Sequence, residues 1–479
     1  MVCPYKEVHG KDITVGGLYL FSTERNNTSE QNQMIINFKD RNLEIGIREK
    51  LNKPKGGITK DEVNNIEELT LNHKDISSLE GIQYLTNLKK LNLWFNKIND
   101  ISPLNSLTNI ENLNLGYNQI NDISLLSNLT RLQELNLESN KISNISPLNN
   151  LKNLKVLSLS YNNVTNIQPL SGLMNLNDLD LYMNKIEDIQ PLQPLVNLTE
   201  LTLGMNKITN IDALKDLKRL KILQLGENGV INVKPLSNLT ELTQLYLYGN
   251  KVKDVNLLKT LVKLTYLDLS DNEITDINAL GKLINLKNLS LDKNKINSLK
   301  GIGTAKNLES IRIAYNEVCC LDELSSLTKL SALNLSNNKI INVKPLSSLF
   351  SLKSLDISNN EIRDISPLRD LPKLHLTNIE FSGNPLPQYV FRDKLNEKFI
   401  LSTLSPYIDS AIQQYYGEGR LYMDAELLSI EKLEGKYKLQ IRVVTFVGPH
   451  NPPYGIETMI ITQDYEGVKV EDFKHEEEK

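Results

Sequence analysis

The sequence predicts a curved α/β solenoid, with a parallel β-sheet on the concave face and short 3₁₀ or helical segments on the convex face. The first observation is an asparagine that recurs every 22 residues, thirteen times between Asn96 and Asn360. The second is that each of these asparagines stands in the same aliphatic frame. The third is that the period lies within the roughly 20–29 residues that are typical of leucine-rich repeats.

The repeated frame predicts one short strand in each unit. Around Asn184 the aliphatic positions are Leu176, Leu179, Leu181, Ile186, Ile189, Leu192 and Leu195. The Leu-x-Leu step before the asparagine alternates with period two, as in a strand that buries one of its faces. A unit of this length cannot bury its apolar side chains alone, so its stability depends on stacking against neighbouring units.

The recurring asparagines are predicted to form a structural ladder rather than a binding site. A carboxamide has two donors and an acceptor, so it can pair backbone groups of adjacent turns, and each such group left unpaired costs about 1–3 kcal/mol. A weaker unit precedes the ladder, with Lys74 in place of asparagine, and a final unit has Asn384 displaced by an insertion near His375. The ladder comprises Asn96, Asn118, Asn140, Asn162, Asn184, Asn206, Asn228, Asn250, Asn272, Asn294, Asn316, Asn338 and Asn360.

Prolines and serines mark the start of each convex segment. Proline is tolerated in the first turn of a helix because its missing N–H has no intrahelical partner there. Ser102, Ser146 and Ser366 each precede a proline, and we expect these serines to be the N-caps of short 3₁₀ or helical turns. Proline stands seven residues after the ladder asparagine at Pro103, Pro147, Pro169, Pro191, Pro235, Pro345 and Pro367.

Four segments are predicted along the chain. Residues 1–34 do not repeat and are interpreted as an N-terminal tail. Residues 35–64 are interpreted as a helical cap, because Leu43, Ile47 and Leu51 share one helical face. Residues 65–385 form the solenoid. Residues 386–479 are predicted to be a small α+β domain, with a helix over 395–416 and strands over 421–433, 437–447, 456–463 and 468–473.

Three stretches carry a resemblance to known families. Residues 88–107, LKKLNLWFNKINDISPLNSL, resemble the short 22-residue repeats of bacterial internalins and are similar to the repeats of a phosphatase-1 regulatory subunit. Residues 36–66 resemble the helical cap that precedes such repeats in Gram-positive bacterial proteins. The motifs PYIDSAIQQYYGE, VVTFVGPHNPPYGIET and VEDFKH resemble a small domain of unknown function from spore-forming Gram-positive bacteria. The resemblance to the domain of unknown function implies no established activity.

Composition and motifs argue against several classes of function. The formal net charge of −4 argues against a general nucleic-acid partner, which would require a basic surface. The absence of an apolar run of about 18 residues predicts that no segment spans a membrane. The first residues lack the pattern of a secretory signal, which predicts a cytoplasmic protein, or a cell-surface or secreted one if the start is truncated. Without a phosphate-binding, dinucleotide or metal motif, we expect no cofactor and no metal.

Four side chains with reactive groups receive structural interpretations. Cys319 and Cys320 lack the spacing of metal ligands, and we expect one buried and one exposed thiol at a repeat turn without a redox role. His450 and His475 have no nucleophile or carboxylate at a spacing that is diagnostic of catalysis. The sequence therefore assigns no catalytic residue.

The candidate binding site is the outward strand face, meaning the side chains six, four, two and one positions before each ladder asparagine. The aliphatic frame makes no demand on these positions, yet aromatic residues, methionines and carboxylates gather there. The candidates are Trp94, Phe95, Tyr117, Tyr161, Asp178, Asp180, Tyr182, Met183, Glu200, Met205, Tyr246, Tyr248 and Tyr266. We expect the centre between Tyr161 and Met205, because aromatic side chains contribute strongly to protein interfaces and carboxylates favour a basic partner.

Three functions compete on this evidence. The leading interpretation is a monomeric, non-enzymatic module that binds a protein, basic at its contact surface, on the concave face. The same side chains could instead be ordinary solenoid surface, with Asp178 and Asp180 as a solvated pair. The second function is an enzyme whose chemistry lies in residues 390–479 and whose repeats select the substrate. The third, implied by the internalin resemblance, is a surface adhesin.

Overall fold

The computed structural model describes residues 34–368, 371–374, 378–386, 394–416, 420–433, 436–447, 455–464 and 467–477. Residues 1–33 of the predicted tail, His375 and His450 lie outside these residues. The chain divides into two compact units, Met1–Val252 and Lys253–Lys479, and each is described by itself. In the part that the structure covers, no helix has the length and apolar character needed to cross a membrane.

The repeats form short parallel strands that follow one another in chain order. Each three-residue strand buries its central side chain and directs the two flanking side chains outward, as Leu179 does between Asp178 and Asp180. Partners lie 22 residues apart, so that Leu179 faces Leu201. The first unit contains β1 (Glu68–Thr70), β2 (Lys90–Asn92), β3 (Asn112–Asn114), β4 (Glu134–Asn136), β5 (Val156–Ser158), β6 (Asp178–Asp180), β7 (Glu200–Thr202), β8 (Ile222–Gln224) and β9 (Gln244–Tyr246).

The second unit continues the pattern and confirms the predicted leucine-rich-repeat solenoid. It contains β10 (Tyr266–Asp268), β11 (Asn288–Ser290), β12 (Ser310–Arg312), β13 (Ala332–Asn334), β14 (Ser354–Asp356) and β15 (Ile379–Glu380). Short 3₁₀ turns connect the strands in both units, as predicted for the convex segments. They span Ile82–Tyr84, Ser102–Ser106, Ser124–Asn128, Ser146–Asn150, Gln168–Leu170, Gln190–Leu192, Asp212–Leu214, Lys234–Asn238, Asn256–Thr260, Asn278–Lys282, Ile302–Thr304, Asp322–Ser326, Lys344–Ser348 and Ser366–Leu368.

The ladder asparagines pair backbone groups of adjacent repeats. The Oδ1 atom of Asn184 accepts the N–H of Val164 at 2.9 Å, and its Nδ2 donates to the carbonyls of Leu159 at 2.9 Å and Leu181 at 3.2 Å. The displaced Asn384 keeps this role, because its Oδ1 accepts the N–H of Ile362 at 3.0 Å. The carboxamides therefore satisfy backbone groups that the turns would otherwise leave buried and unpaired.

The predicted serine N-caps are wrong. Ser102 is the first residue of its 3₁₀ turn, and the Oδ1 atom of Asp100 accepts its N–H at 2.8 Å. In the same way Asn144 caps Ser146 at 3.0 Å and Asp364 caps the turn that begins at Ser366. The capping residue stands four positions after the ladder asparagine, because a short Asx side chain reaches the N–H two residues ahead.

One repeat lacks this cap, so it can be used to test how much the cap adds to the free energy of unfolding. Cys320 occupies the capping position of the repeat that starts at Asn316, where its thiol replaces an amide or carboxylate oxygen. We expect Cys320→Asn to raise the free energy of unfolding by about 0.5–1.5 kcal/mol, the net contribution of one hydrogen bond. Urea denaturation measures the change. The matched control is Cys319→Asn, because asparagine stands one position earlier at Asn99 without capping a turn, and an equal gain there would contradict the assignment.

Two helices close the start of the solenoid. Helix α1 (Arg41–Leu51) begins after Asp40, whose Oδ1 accepts the N–H of Asn42 at 2.9 Å and whose Oδ2 accepts the N–H of Ser77 at 2.8 Å. Helix α2 (Lys60–Val63) follows. Leu43 and Ile47 are fully buried as predicted, whereas Leu51 is only half-buried. Asp40 therefore links the helical cap to the first repeat.

The C-terminal residues form one helix and an antiparallel sheet, as predicted. Helix α3 (Lys394–Tyr416) lies against β16 (Arg420–Leu433) and β19 (Gly467–Glu477). The strands β17 (Lys436–Val447) and β18 (Gly455–Asp464) lie between them, in the order β16-β17-β18-β19. The fourth strand is longer than the 468–473 expected. This arrangement confirms the predicted α+β domain.

Candidate functional site

The backbone before each ladder asparagine adopts a conformation that is unfavourable for large side chains. Phe95 has a φ of 56°, Tyr161 of 55° and Met183 of 52°. Left-handed backbone costs a non-glycine residue roughly 1–2 kcal/mol, and asparagine or aspartate tolerates it best. Three later repeats place such residues there, Asp271, Asn337 and Asn359. The repeat architecture imposes the conformation, but it does not require a bulky side chain.

Large side chains nevertheless occupy this position in five repeats of the first unit, whereas Ser139, Glu227 and Gly249 occupy it in three others. The five large side chains are exposed to solvent. Phe95 is 49% exposed, Tyr117 37%, Tyr161 44%, Met183 43% and Met205 39%. Because they add little to the core and carry the cost of left-handed backbone, packing does not explain them. Backbone strain of this kind collects at functional sites.

The Tyr-Met cluster, which comprises Tyr161, Tyr182 and Met205, joins three consecutive repeats. The ring centroids of Tyr161 and Tyr182 are 5.5 Å apart, and the Tyr182 hydroxyl lies 2.8 Å from Sδ of Met205. A Cβ atom at Gly204 would lie 3.0 Å from the Tyr182 ring. Because Gly204 has no side chain, it leaves room for the Tyr182 ring.

A second group of rings, called the Trp94 cluster, comprises His73, Trp94, Phe95 and Tyr117. The centroid of Trp94 is 4.6 Å from that of His73 and 5.3 Å from that of Tyr117, and Phe95 stacks on Tyr117 at 6.0 Å. Sequence reasoning missed His73 because Lys74 interrupts the ladder. The sequence feature that could have identified His73 is its position 22 residues before Phe95. In the structure His73 has the same left-handed backbone, with φ 54°.

Three carboxylates lie beside the Tyr-Met cluster on the outward strand face. Asp178 and Asp180 belong to β6 and Glu200 to β7, with Asp178 directly paired with Glu200 in the sheet register. Burial, then the charges of Glu200 and Asp180, raise the pKa of Asp178. Asp180 accepts the N–H of Tyr182 at 3.0 Å. Among the described residues, no group of three or more histidine, cysteine, aspartate or glutamate side chains is placed to hold a metal.

Three predicted site residues, Tyr246, Tyr248 and Tyr266, lie in later repeats than the Tyr-Met cluster. Tyr246 donates its hydroxyl to Oε1 of Gln244 at 3.1 Å, and Tyr248 is half-buried two residues later. Tyr266 starts β10 and belongs to the second unit. The first unit thus brings Tyr161, Tyr182 and Met205 together with the three carboxylates.

The C-terminal domain contains a buried polar cluster that sequence reasoning missed. Glu457 and Thr445 are fully buried, and Oε1 of Glu457 accepts the hydroxyls of Thr445 at 2.7 Å and Tyr416 at 2.6 Å. Nδ1 of His475 lies 3.0 Å from Oε2 of Glu457. The sequence showed no carboxylate partner for His475 at a diagnostic spacing, and in the structure Glu457 is that partner. Only the register of β18 against β19, which places Glu457 opposite His475, reveals the pair.

Both thiols of the cysteine pair are exposed, so the predicted burial of one of them is wrong. Val318 fills the buried position of the frame, and the two positions that follow point outward. The Sγ atoms of Cys319 and Cys320 are 3.2 Å apart. The repeat therefore presents two adjacent thiols to solvent.

Family models match both parts of the chain. The model described as Leucine Rich repeats (2 copies) matches residues 108–150, 152–194 and 262–303, and that described as Leucine Rich repeat matches 348–365. Residues 396–477 match a model described as Protein of unknown function (DUF3888). These matches confirm the repeats and the resemblance of the C-terminal domain to a family of unknown function. A search of curated proteins found no match.

Solved structures share the repeat fold. A leucine-rich-repeat protein of Leptospira interrogans is 32% identical, with 67% of this chain and 84% of that chain covered and a TM-score of 0.63. The ectodomain of the Arabidopsis thaliana receptor kinase GASSHO1/SCHENGEN3, solved in complex with CASPARIAN STRIP INTEGRITY FACTOR 2, is 23% identical and shows the fold alone. The match covers 70% of this chain and 47% of the receptor ectodomain chain, with a TM-score of 0.55.

The internalin inlF of Listeria monocytogenes is 37% identical, with 66% of this chain and 94% of that chain covered and a TM-score of 0.65. The shared region therefore spans nearly the whole of that solved chain. With its 22-residue repeats and its helical cap, the chain belongs to the internalin family of leucine-rich-repeat proteins.

Proposed function

We propose that the first unit binds a protein partner on its outward strand face, centred on Tyr161, Tyr182 and Met205. The observation that carries the proposal is the row of exposed aromatic and methionine side chains held in left-handed backbone. Such side chains make a large contribution to protein interfaces when a partner excludes water from them. The family supports a protein-interaction module, and this face is the part of the first unit that core packing does not explain.

The carboxylates beside the Tyr-Met cluster define the chemistry of the partner. Asp178, Asp180 and Glu200 repel one another, and burial, followed by this repulsion, raises the pKa of Asp178. A lysine or arginine of the partner placed near them would reduce the repulsion. Complementary charge also accelerates encounter and sets orientation. We therefore propose a partner that presents an apolar patch flanked by basic residues.

Affinity capture with charge-reversed baits tests this proposal. Glu200→Lys reverses a charge on the outward strand face, whereas Glu187→Lys reverses an exposed charge outside it, where Glu187 pairs with Lys207 at 3.5 Å. We expect the unchanged chain and the Glu187→Lys bait to retain the same protein and the Glu200→Lys bait to lose it. Retention of that protein by all three folded baits would place binding elsewhere.

The raised pKa of Asp178 predicts that this residue affects the free energy of unfolding in a pH-dependent way. The pKa of Asp178 is raised in the folded chain, so its carboxyl group ionises at a lower pH in the unfolded chain than in the folded one. Above the unfolded pKa, the ionised carboxylate therefore lowers the free energy of unfolding. We expect Asp178→Asn to raise the free energy of unfolding at pH 7 by less than about 1 kcal/mol, because the residue is half-exposed and solvent screens its charge. The gain should disappear as the pH falls below the unfolded pKa of aspartate, near about 3.9.

Binding and stability should change in opposite directions in this variant. Asp178→Asn should weaken capture of a basic partner while it stabilises the free chain, and urea denaturation between pH 3 and pH 7 with parallel binding measurements follows both. Asp122→Asn is the control, because Asp122 caps a 3₁₀ turn through a 2.8 Å hydrogen bond. A stability gain for Asp178→Asn that is the same at every pH would contradict the explanation.

A second candidate function is catalysis in the C-terminal domain, which the pair of Glu457 and His475 favours. A buried carboxylate that contacts Nδ1 fixes the histidine ring and leaves Nε2 as the other nitrogen for proton transfer. The test incubates the captured partner with the intact chain or with His475→Gln. A mass change of the partner that only the intact chain produces supports catalysis, and an unmodified partner in both reactions contradicts it.

A further inference from the structure

We propose that Cys319 and Cys320 form a dithiol site that reacts with small disulfides and closes reversibly into a disulfide between adjacent residues. The two Sγ atoms are 3.2 Å apart on the protein surface. Exposed free cysteines are uncommon, since cysteine is among the residues that are most often buried. The site lies at the start of the turn Asp322–Ser326 and is independent of the protein-binding face proposed above.

The repeat pattern indicates that the pair is not a structural element. In two other repeats of the second unit the position of Cys320 holds a capping residue, Asp276 or Asn342, whose Oδ1 accepts a backbone N–H at 2.8 or 2.9 Å. The position of Cys319 holds Thr275 or Ile341 in the same two repeats. A cysteine at position 320 lacks the side-chain oxygen that caps the turn in those repeats. Neither thiol is buried in the core. A chemical role of the sulfurs accounts for both substitutions.

The environment assigns different roles to the two sulfurs. A hydrogen bond with Cys319 raises the pKa of Cys320, which disfavours the Cys320 thiolate, so we assign the first attack to Cys319. The Cys319 thiolate then attacks one sulfur of a small disulfide, forms a mixed disulfide and releases one thiolate, which takes up a proton. Cys320 loses its proton, attacks the Cys319 sulfur and displaces the second thiolate. In total the protein gives up two electrons and two protons, and the small disulfide becomes two thiols.

The closed form should be easy to reduce. Adjacent Cα atoms are about 3.8 Å apart, which is shorter than the roughly 4.4–6.8 Å across an ordinary disulfide. Closure must also shorten the present 3.2 Å between the sulfurs to a bond of about 2.05 Å. Strained, exposed disulfides have high reduction potentials and are the labile ones. The geometry therefore suits a reversible modification site rather than a permanent bridge.

Glutathione disulfide is the probe for this site. The full chain carries Cys3→Ser, which leaves Cys319 and Cys320 as the only thiols of the sequence, and intact-mass measurement follows the reaction. We expect the pair to lose two hydrogens and dithiothreitol to restore them. The Cys320→Ser variant should retain one glutathione on Cys319, at a level at least about tenfold above that on the intact pair, because the second thiol normally displaces it intramolecularly.

Two results would overturn the proposal. The first is that the intact pair retains one glutathione on each sulfur, which would show two independent thiols. The second is that oxidation produces linked dimers without loss of two hydrogens inside one chain. Circular dichroism of each variant verifies the fold, and since both side chains are exposed, the serine variants should remain folded.

Discussion

Replacing Asn184 by alanine is expected to lower the free energy of unfolding by about 3–5 kcal/mol, since each buried backbone group left unpaired costs about 1–3 kcal/mol. The carboxamide pairs four groups, the N–H of Val164 and the carbonyls of Leu159, Leu181 and Tyr182, over distances of 2.9–3.3 Å. The side chain is buried between repeats, where water cannot readily take over these roles. The alanine variant should therefore weaken the interface between its repeat and the preceding one.

Asn175→Ala is the matched control, because it removes an asparagine from the same repeat. Its Nδ2 donates to the carbonyl of Lys152 at 2.9 Å, but that bond is exposed, and water can replace it. We expect a loss of less than about 1 kcal/mol there. Urea denaturation measures both variants, and amide exchange at Val164 reports the local change, because repeat arrays can unfold in parts. Equal losses at the two positions would contradict a ladder role for Asn184.

The repeat was predictable from the sequence because a single physical requirement recurs in every unit. Each strand must bury its central leucine, and each turn must pair the same backbone groups, so spacing alone identifies Asn184 and the burial of Leu179. The outward strand face follows from the same spacing. The sequence could not show that Tyr182 contacts Met205, because that contact depends on the small Gly204 and on side-chain geometry.

The capping residue of each turn and the pairing of Glu457 with His475 could not be predicted, because residue type alone does not decide between the possible arrangements. Ser102 and Asp100 are both good caps, and only the backbone path shows that the turn starts at the serine and that the aspartate caps it. Glu457 and His475 are 18 residues apart in sequence, yet they pair across two antiparallel strands. A shift of that register by one residue would turn one of the side chains to the other face of the sheet. Long-range register is the information that the sequence lacks.

The Tyr-Met cluster yields the largest expected effect on binding. Tyr182→Ala combined with Met205→Ala removes the ring that contacts Tyr161 and the thioether beside its hydroxyl. We expect affinity for the captured partner to fall at least about tenfold, which corresponds to about 1.4 kcal/mol. A single aromatic residue at the centre of an interface commonly contributes more than that amount, so tenfold is a lower bound for a central position.

The control for this pair is Tyr315→Ala, because Tyr315 has the same left-handed backbone, with φ 56°, and is 57% exposed in the second unit. It shares the conformation and the chemistry of the first-unit residues, but it does not belong to the Tyr-Met cluster. Isothermal titration with the purified partner should give nearly unchanged affinity for Tyr315→Ala and the tenfold loss for the double variant. If the folded double variant bound as tightly as the unchanged chain, the exposed rings would be ordinary surface, and the strained backbone before each asparagine would reflect only the repeat geometry.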